Sequence, residues 1–320
     1  MEQPMLSREK ELKMGGQALI EGVMMRSGDT WAAAVRTPDG EIVVRKKTFR
    51  SLSRRFRFLD LPVLRGMVIL FESLILGVRA LNYSAEVASQ QFIEGRKAPA
   101  TEEEHGWLWK LSLAATVVLS LAAGMAIFFY LPLLVAELCG IENPFWFNAV
   151  DGLLRITVFL AYLLLISRWK EIRRVFEYHG AEHQTIAAFE KKQDLSWDNI
   201  RCESRFHTRC GTSFILVLLI VSVFVFMAMG KPADWGERFL RMLLVPVIGG
   251  VSYELIKLSD RYPGNLVTHL AVAPGLWLQR ITTLPPDESQ VEVAVAALEA
   301  ATETGRAVIG QALAVSAAES

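Results

Sequence analysis

Two histidines of this 320-residue sequence, His179 and His183, lie four residues apart in a segment (residues 170–191) with a helical pattern. At that spacing both imidazoles project from one face of a helix, which is the arrangement that can hold one zinc ion. Glu182 borders the same face, where its carboxylate could act as a general base toward water activated by the metal. The order His-x-x-Glu-His is the inverted zinc-hydrolase motif. The alternative is a polar helix whose histidines meet lipid phosphates or carboxylates.

Two histidines leave a zinc site short of a third protein ligand, and the sequence offers two sources for it. One source is His207 with Cys210, which precede an apolar segment. The other is Glu254, because a carboxylate inside an apolar segment is costly unless it has a partner. A salt bridge from Glu254 to Lys257 or to a basic loop residue is the competing interpretation. A set completed by Glu254 would resemble a hydrolase, whereas one completed by His207 and Cys210 would be closed and structural. These alternatives remain open from the sequence.

The elements that must position these residues are predominantly membrane helices. Apolar residues make up 52% of the sequence and the mean hydropathy is +0.30, against an apolar share of about 45–50% in soluble domains. A bilayer-spanning helix needs about 20 apolar residues. The pattern predicts four such spans, at residues 111–136, 145–167, 213–229 and 239–258. In the second span, Asp151 and Arg155 are four residues apart and are predicted to pair.

Basic residues predict the orientation of the spans. The connection 139–148 contains no Lys or Arg, whereas the connection 168–212 is rich in both. Because positive charge is retained on the cytoplasmic side, we expect the loop 168–212 and both termini to be cytoplasmic. The net charge is +0, so charge gives no indication of a nucleic-acid partner and we predict none. The three cysteines are too few and too scattered for a disulfide framework.

The remaining segments flank the predicted bundle (107–284). Residues 1–60 form a cytoplasmic N-terminal region with a β-hairpin around the Thr37–Gly40 turn. Its basic stretch, residues 45–57, is predicted to rest on anionic lipid. Residues 61–106 are predicted to be a linker and a helix that lies in the interface or packs on the bundle. A short segment near 265–278 is expected to be broken at Pro274-Gly275. Residues 285–320 are expected to form a helix, capped by Asp287 and Gln290, and a loose tail.

Several motifs together are specific to one family. They are GGQALIEGVMMR (residues 15–26), YHGAEHQTI (178–186), HTRCGTSF (207–214) and GGVSYELIK (249–257). With them, the chain resembles the YqhQ family of bacterial membrane proteins over roughly residues 15–298. Its members are of unknown function and are often labelled metal-dependent enzymes. The resemblance implies a bacterial plasma-membrane location and supplies no substrate. Thr208 departs from the family pattern, where proline is expected.

The sequence therefore predicts a mainly α, polytopic helical membrane protein with a small N-terminal β-hairpin-containing part. The predicted function is a zinc-dependent hydrolase at the cytoplasmic face of the membrane, in which Glu182 activates water. Another divalent metal is an alternative to zinc. A peptide bond is the default substrate, with a lipid or an ester as alternatives, and membrane lipids are the expected partners. The second hypothesis is a non-catalytic channel, transporter or assembly factor with a structural metal site. The oligomeric state is not specified.

Overall fold

The structure is a computed structural model that describes residues 14–89, 106–207, 210–261 and 266–302. The strands are β1 (Met14–Leu19), β2 (Gly22–Ser27), β3 (Thr30–Arg36) and β4 (Ile42–Thr48). The helices are α1 (Leu52–Arg55), α2 (Leu64–Ala88), α3 (Trp107–Met125), α4 (Leu131–Leu138), α5 (Pro144–Ile166), α6 (Lys170–Glu190), α7 (Trp197–Ile200), α8 (Gly211–Met229), α9 (Trp235–Leu243), α10 (Val245–Arg261), α11 (Leu266–Thr282) and α12 (residues 288–302). A π-helical turn joins α3 to α4. The predicted class, mainly helical with a β-hairpin-containing N-terminal part, is confirmed.

Among the described residues, four helical segments are long and apolar enough to cross a membrane. They are Trp107–Leu138, Pro144–Ile166, Gly211–Met229 and Trp235–Ser259. Each contains most or all of one predicted span, so the predicted number of spans is confirmed by length and composition. Large apolar side chains on the first segment point outward; Val118 and Leu119 are 65% and 72% exposed. Such a surface is suited to contact with lipid.

The N-terminal strands form one antiparallel sheet in the order β1-β2-β3-β4. The hairpin predicted around Thr37–Gly40 is confirmed as β3–β4, with Gly40 at a φ of +90° in its turn. The motif at residues 15–26 forms a second hairpin, β1–β2, in which Gly15 pairs with Arg26. Sequence reasoning did not assign this motif to strands, and the structure packs both strands against α6, the helix that carries His179 and His183.

Helices cover both faces of the sheet. One face packs on α2 through Leu76 and Ala80, whereas the other packs on α6 and α12 through Tyr178 and Val293. Residues 32–35 in β3 are fully buried. A strand that is buried on both faces shows a continuous apolar run in place of alternation. The covered sheet therefore fixes the position of α6, the helix that carries the two histidines.

Helix α2 is not among the candidate spans and packs against both the sheet and α10. At its crossing with α10, a Cβ on Gly66 would lie 2.9 Å from the Cα of Gly250, so the two backbones touch. The buried Glu72 accepts hydrogen bonds from Ser51 Oγ (2.8 Å) and the Leu52 amide (2.6 Å). The predicted alternative of a helix packed on the bundle agrees with these contacts.

In the C-terminal part of the chain, one local prediction is wrong and another is confirmed. The prediction of a break at Pro274-Gly275 is wrong, because α11 continues through Pro274. Gly275 allows α11 to pack closely against Ser213 of α8. The predicted cap of α12 is confirmed: the Asp287 amide donates to Gln290 Oε1 and the Gln290 amide to Asp287 Oδ1, both at 2.9 Å.

Candidate metal centre

Three potential metal ligands converge between α6 and the start of α8. His179 and His183 lie on α6, and Cys210 is the N-cap residue of α8. Their ligand atoms all lie within 4.8 Å of one another, and Nε2 of His179 is 3.2 Å from Sγ of Cys210. Zinc bonds of about 2.1 Å to nitrogen and 2.3 Å to sulfur place tetrahedral ligand atoms about 3.5 Å apart. The spacing and chemistry of the three donors therefore fit one zinc ion.

Backbone carbonyls fix the orientation of both imidazoles. Nδ1 of His179 is 2.8 Å from the carbonyl oxygen of Thr282, and Nδ1 of His183 is 2.6 Å from that of Arg205. Because a carbonyl only accepts hydrogen bonds, each Nδ1 must carry the hydrogen and each Nε2 retains a lone pair. Metal-binding histidines are commonly held in this way. Both rings are therefore oriented through Nδ1, and Nε2 of His179 faces the sulfur of Cys210.

Burial favours the metal-binding form of His183. Burial lowers the pKa of His183, so its imidazole is neutral near pH 7. Cys210 is also buried, and its Sγ lies 3.0 Å from Oγ1 of Thr212. The three donors thus present two imidazole nitrogens and a sulfur in a site largely shielded from solvent.

Gly180 allows the chain after α11 to lie directly on α6. A Cβ at this position would overlap the carbonyl oxygen of Leu284. The Leu284 amide donates a 2.9 Å hydrogen bond to the carbonyl of Phe176. Two residues earlier, Thr282 supplies the carbonyl that holds His179. The absence of a side chain at residue 180 therefore helps to orient the neighbouring ligand.

We expect Gly180→Ala to weaken zinc binding by about ten- to a hundredfold, the usual effect of losing an outer-shell hydrogen bond. The added methyl group must displace Leu284 and with it the Thr282 carbonyl. The measurement is a zinc titration of detergent-purified protein against a chromophoric chelator. Gly211→Ala is the matched control, because residue 211 also adjoins a ligand but has open space around its Cβ position. Equal affinity in the two variants would contradict this role for Gly180.

Glu182 lies beside the three ligands and faces β1. Its side chain is buried, and a Cβ at Gly16 would lie 2.7 Å from its Oε1. Oε2 is buried without a hydrogen-bond partner among the residues that the structure describes. Burial raises the pKa of Glu182 to about 7, and the charge of His179 acts in the opposite direction. This carboxyl group can therefore gain and lose a proton near neutral pH.

A cavity that is open to solvent lies along the edge strand β1, between the sheet and α2. Its wall consists of Met14, Gly15, Gly16, Gln17, Met24, Arg26, Gly28, Ser73 and Leu76. Gly16 belongs to this wall and also contacts Glu182. Among the described residues β1 pairs only with β2, so the backbone groups of its other edge can form further hydrogen bonds. The cavity thus reaches the strand that covers Glu182.

His207 lies next to the three-ligand group without belonging to it. Its ring centroid is 5.8 Å from that of His183, and its Nε2 is 3.6 Å from Oε2 of Glu190. Its backbone is held on both sides by Gln279, which accepts from the amide at 2.8 Å and donates to the carbonyl at 2.7 Å. The structure therefore brings together His179, His183 and Cys210, with His207 as a neighbour.

Glu254 has a different partner from those that the sequence suggested. Nε of Arg65 donates to its Oε1 at 2.6 Å, and Nη2 of Arg65 contacts Oε2. The alternative of a salt bridge is thus the one found, but it reaches across to α2 and involves neither Lys257 nor a loop residue. Glu254 is absent from the group of three ligands found among the described residues. Its carboxylate instead joins α10 to α2.

Sequence comparisons identify the family of this chain. A family model described as "Protein of unknown function (DUF1385)" matches residues 61–304. The chain is 34% identical over 286 residues to "Uncharacterized protein YqhQ" of Bacillus subtilis (strain 168), an alignment that covers 88% of this chain and 89% of that protein. No solved structure matches. The relation to YqhQ that the motifs predicted is thereby confirmed. The chain belongs to the DUF1385 family.

Proposed function

We propose that this protein binds one zinc ion through His179, His183 and Cys210 and uses it to hydrolyse a substrate at the membrane surface. The observation that carries the proposal is the convergence of two Nε2 atoms and one Sγ, with both histidines held through Nδ1 by backbone carbonyls. If these polar side chains were adjacent without a common role, there would be no reason for both imidazole rings to be held in the same tautomer.

The number of ligands favours a catalytic site. Structural zinc sites have four protein ligands, whereas catalytic sites have three and leave one position for water or substrate. Here three donors form the group. His207 is positioned by Gln279 and faces Glu190, which supports a place at the margin of the site. His179 is only partly buried, so the group can be approached from its side.

Glu182 is suited to proton transfer. When bound, zinc supplies a Lewis acid that makes water a nucleophile near neutral pH. Glu182 would take a proton from that water and return it to the leaving group. A general base works best when its pKa lies near the operating pH, and burial raises the pKa of Glu182 to about 7. The protein around it excludes bulk water, which strengthens each charge interaction in the site.

A peptide is the substrate class that the fold favours. The cavity beside Glu182 follows the edge strand β1, whose outer backbone groups can pair with an extended peptide. The centre lies at the end of the candidate spans where α8 begins, the end that the sequence predicts to be cytoplasmic. A lipid or an ester substrate would enter from the same membrane boundary.

The test is the metal content of wild-type protein purified in mild detergent without chelator. We expect about one zinc ion per chain, and peptide hydrolysis that a chelator abolishes and added zinc restores. No stoichiometric metal after zinc repletion would overturn the proposal. If activity persists after complete metal removal, the proposed zinc binding would stand, but a role of the zinc ion in hydrolysis would be excluded.

One observation favours a second candidate, a structural metal site in a non-catalytic protein. His183 is 3% and Cys210 is 5% exposed, and the two residues belong to different helices. A metal held by them would tie α6 to α8 in a channel, transporter or assembly factor. In that case Glu182 would matter little, which separates the two candidates experimentally.

A further inference from the structure

The open cavity beside β1 and the carboxyl group of Glu182 lie on opposite faces of the same edge strand. Gly16 contacts Glu182 of α6, whereas its neighbour Gln17 contacts Gly77 of α2. Successive residues of a strand point to opposite faces of a sheet, so β1 turns one face toward each helix. The cavity includes Ser73 of α2 in its wall. It therefore lies on the α2 face, with the backbone of β1 between it and Glu182.

Arg26 is the one charged side chain among the described residues that line this cavity. Its Nε donates to the carbonyl oxygen of Gly28 at 3.3 Å, and its Cζ lies 5.3 Å from the centroid of the Phe49 ring. These two contacts orient the guanidinium group. Within the part of the chain that the structure describes, Nη1 and Nη2 form no hydrogen bond and no carboxylate pairs with them. Two donor nitrogens of Arg26 are therefore available to an acceptor in the cavity.

The strand opposite Arg26 leaves space for a ligand to reach these donors. Arg26 pairs with Gly15 in the β1–β2 register, and nothing lies within 4 Å of the position that a Cβ on Gly15 would take. A Cβ on Gly77 would lie 2.6 Å from Oε1 of Gln17, so the missing side chain lets the Gln17 amide lie against α2. The wall of the cavity thus offers a cation, the amide of Gln17 and the hydroxyl of Ser73.

We propose that Arg26 selects peptide substrates by binding a carboxylate group of the peptide in this cavity. The inference rests on the proposed function, because it assigns a specificity to the same hydrolytic site. A guanidinium group binds a carboxylate through two parallel, charge-assisted hydrogen bonds. The carboxylate belongs either to the C-terminus of the peptide or to an acidic side chain, and both present the same chemistry to Arg26.

Binding of the carboxylate at Arg26 sets the register of the peptide relative to Glu182. A peptide that pairs with the free edge of β1 directs alternate side chains to the two faces of the sheet. One set enters the cavity on the α2 face, and the other lies on the face of Glu182. Gly15, which is opposite Arg26, and Gly16, which contacts Glu182, are adjacent, so about 3.3 Å of strand separates the two positions.

The experiment compares wild-type protein with Arg26→Gln, Arg26→Lys, Gly15→Val and Arg45→Gln. Gly15→Val adds a side chain in open space opposite Arg26 and narrows the cavity without displacing a neighbour. Arg45→Gln is the matched control, because Arg45 also lies over an aromatic ring, that of Tyr83 at 4.9 Å, and does not line the cavity. Size-exclusion chromatography and circular dichroism establish that each variant is folded.

The measurement is the fluorescence anisotropy of labelled extended hexapeptides with chelator present, so that binding is read without zinc and without hydrolysis. One peptide has a free C-terminus, a second has an internal glutamate and an amidated C-terminus, and a third has glutamine in its place and is also amidated. We expect wild-type protein to bind the first, the second or both at least about tenfold more tightly than the third. The peptide that is preferred identifies the source of the carboxylate.

Arg26→Gln and Gly15→Val should abolish this preference, Arg26→Lys should weaken it, and Arg45→Gln should keep it. Equal affinity of wild-type protein for all three peptides, or an undiminished preference in Arg26→Gln, would overturn the inference. Because zinc is absent from the measurement, a protein that binds no zinc could still show the preference. A zinc-dependent peptidase without the preference would refute the role of Arg26 alone.

Discussion

Replacement of His179 by alanine is expected to lower zinc affinity by more than about a hundredfold, whereas replacement of His207 leaves it nearly unchanged. Loss of an outer-shell partner already costs ten- to a hundredfold in affinity, so loss of a ligand atom must cost more. His179 supplies an Nε2 only 3.2 Å from the sulfur of Cys210. His207 stands beside the group and faces Glu190. A comparison of the two variants therefore distinguishes a three-ligand site from a closed four-ligand site.

The measurement is zinc per chain after purification, followed by competition with chelators of graded affinity. Cys210→Ser should behave as His179→Ala, because a hydroxyl is a much poorer zinc ligand than a thiolate. Both variants should retain the size-exclusion profile of the wild type. A loss of zinc in His207→Ala as large as that in His179→Ala would show that His207 is a fourth ligand. The structural-site hypothesis would then replace the hydrolase hypothesis.

Glu182→Gln is expected to retain zinc and to reduce hydrolysis by about 10²- to 10⁴-fold, the usual contribution of a general acid–base group. Glutamine has nearly the shape of glutamic acid, so its contact with Gly16 is preserved. It cannot accept a proton from water. This variant should therefore keep its metal content and lose catalytic rate, whereas His179→Ala should lose both.

The rate is measured on a peptide library, with ester and phospholipid substrates assayed in parallel. Glu171→Gln is the control, because Glu171 is an exposed carboxylate on the first turn of the same helix. A Glu182→Gln variant that keeps both zinc and full activity would remove Glu182 from the reaction. Wild-type protein that binds zinc and hydrolyses none of these substrates would leave the structural site as the better explanation.

The sequence by itself determined the features that depend on neighbouring residues. Helical geometry fixes the direction of side chains four residues apart, which is why both the His179–His183 pair and the Asp151–Arg155 pair could be predicted. Length and apolarity were enough to locate the four candidate spans. The capping of α12 and the β3–β4 hairpin depend on local hydrogen bonds and turn residues. Each of these predictions is confirmed because its physical cause acts over a few residues.

Which side chain joins His179 and His183 in the candidate metal centre was decided by the tertiary structure. Cys210 approaches His179 because α8 begins against α6, and local spacing contains no information about how two helices pack. Glu254 was a reasonable ligand candidate until packing paired it with Arg65, 189 residues away in the sequence. The carbonyl oxygens that hold the histidines come from distant segments and, as backbone atoms, leave no signature in residue type. In the sequence, Gly180 reflects the contact between α6 and the segment after α11, because only a residue without a side chain lets Leu284 lie on α6.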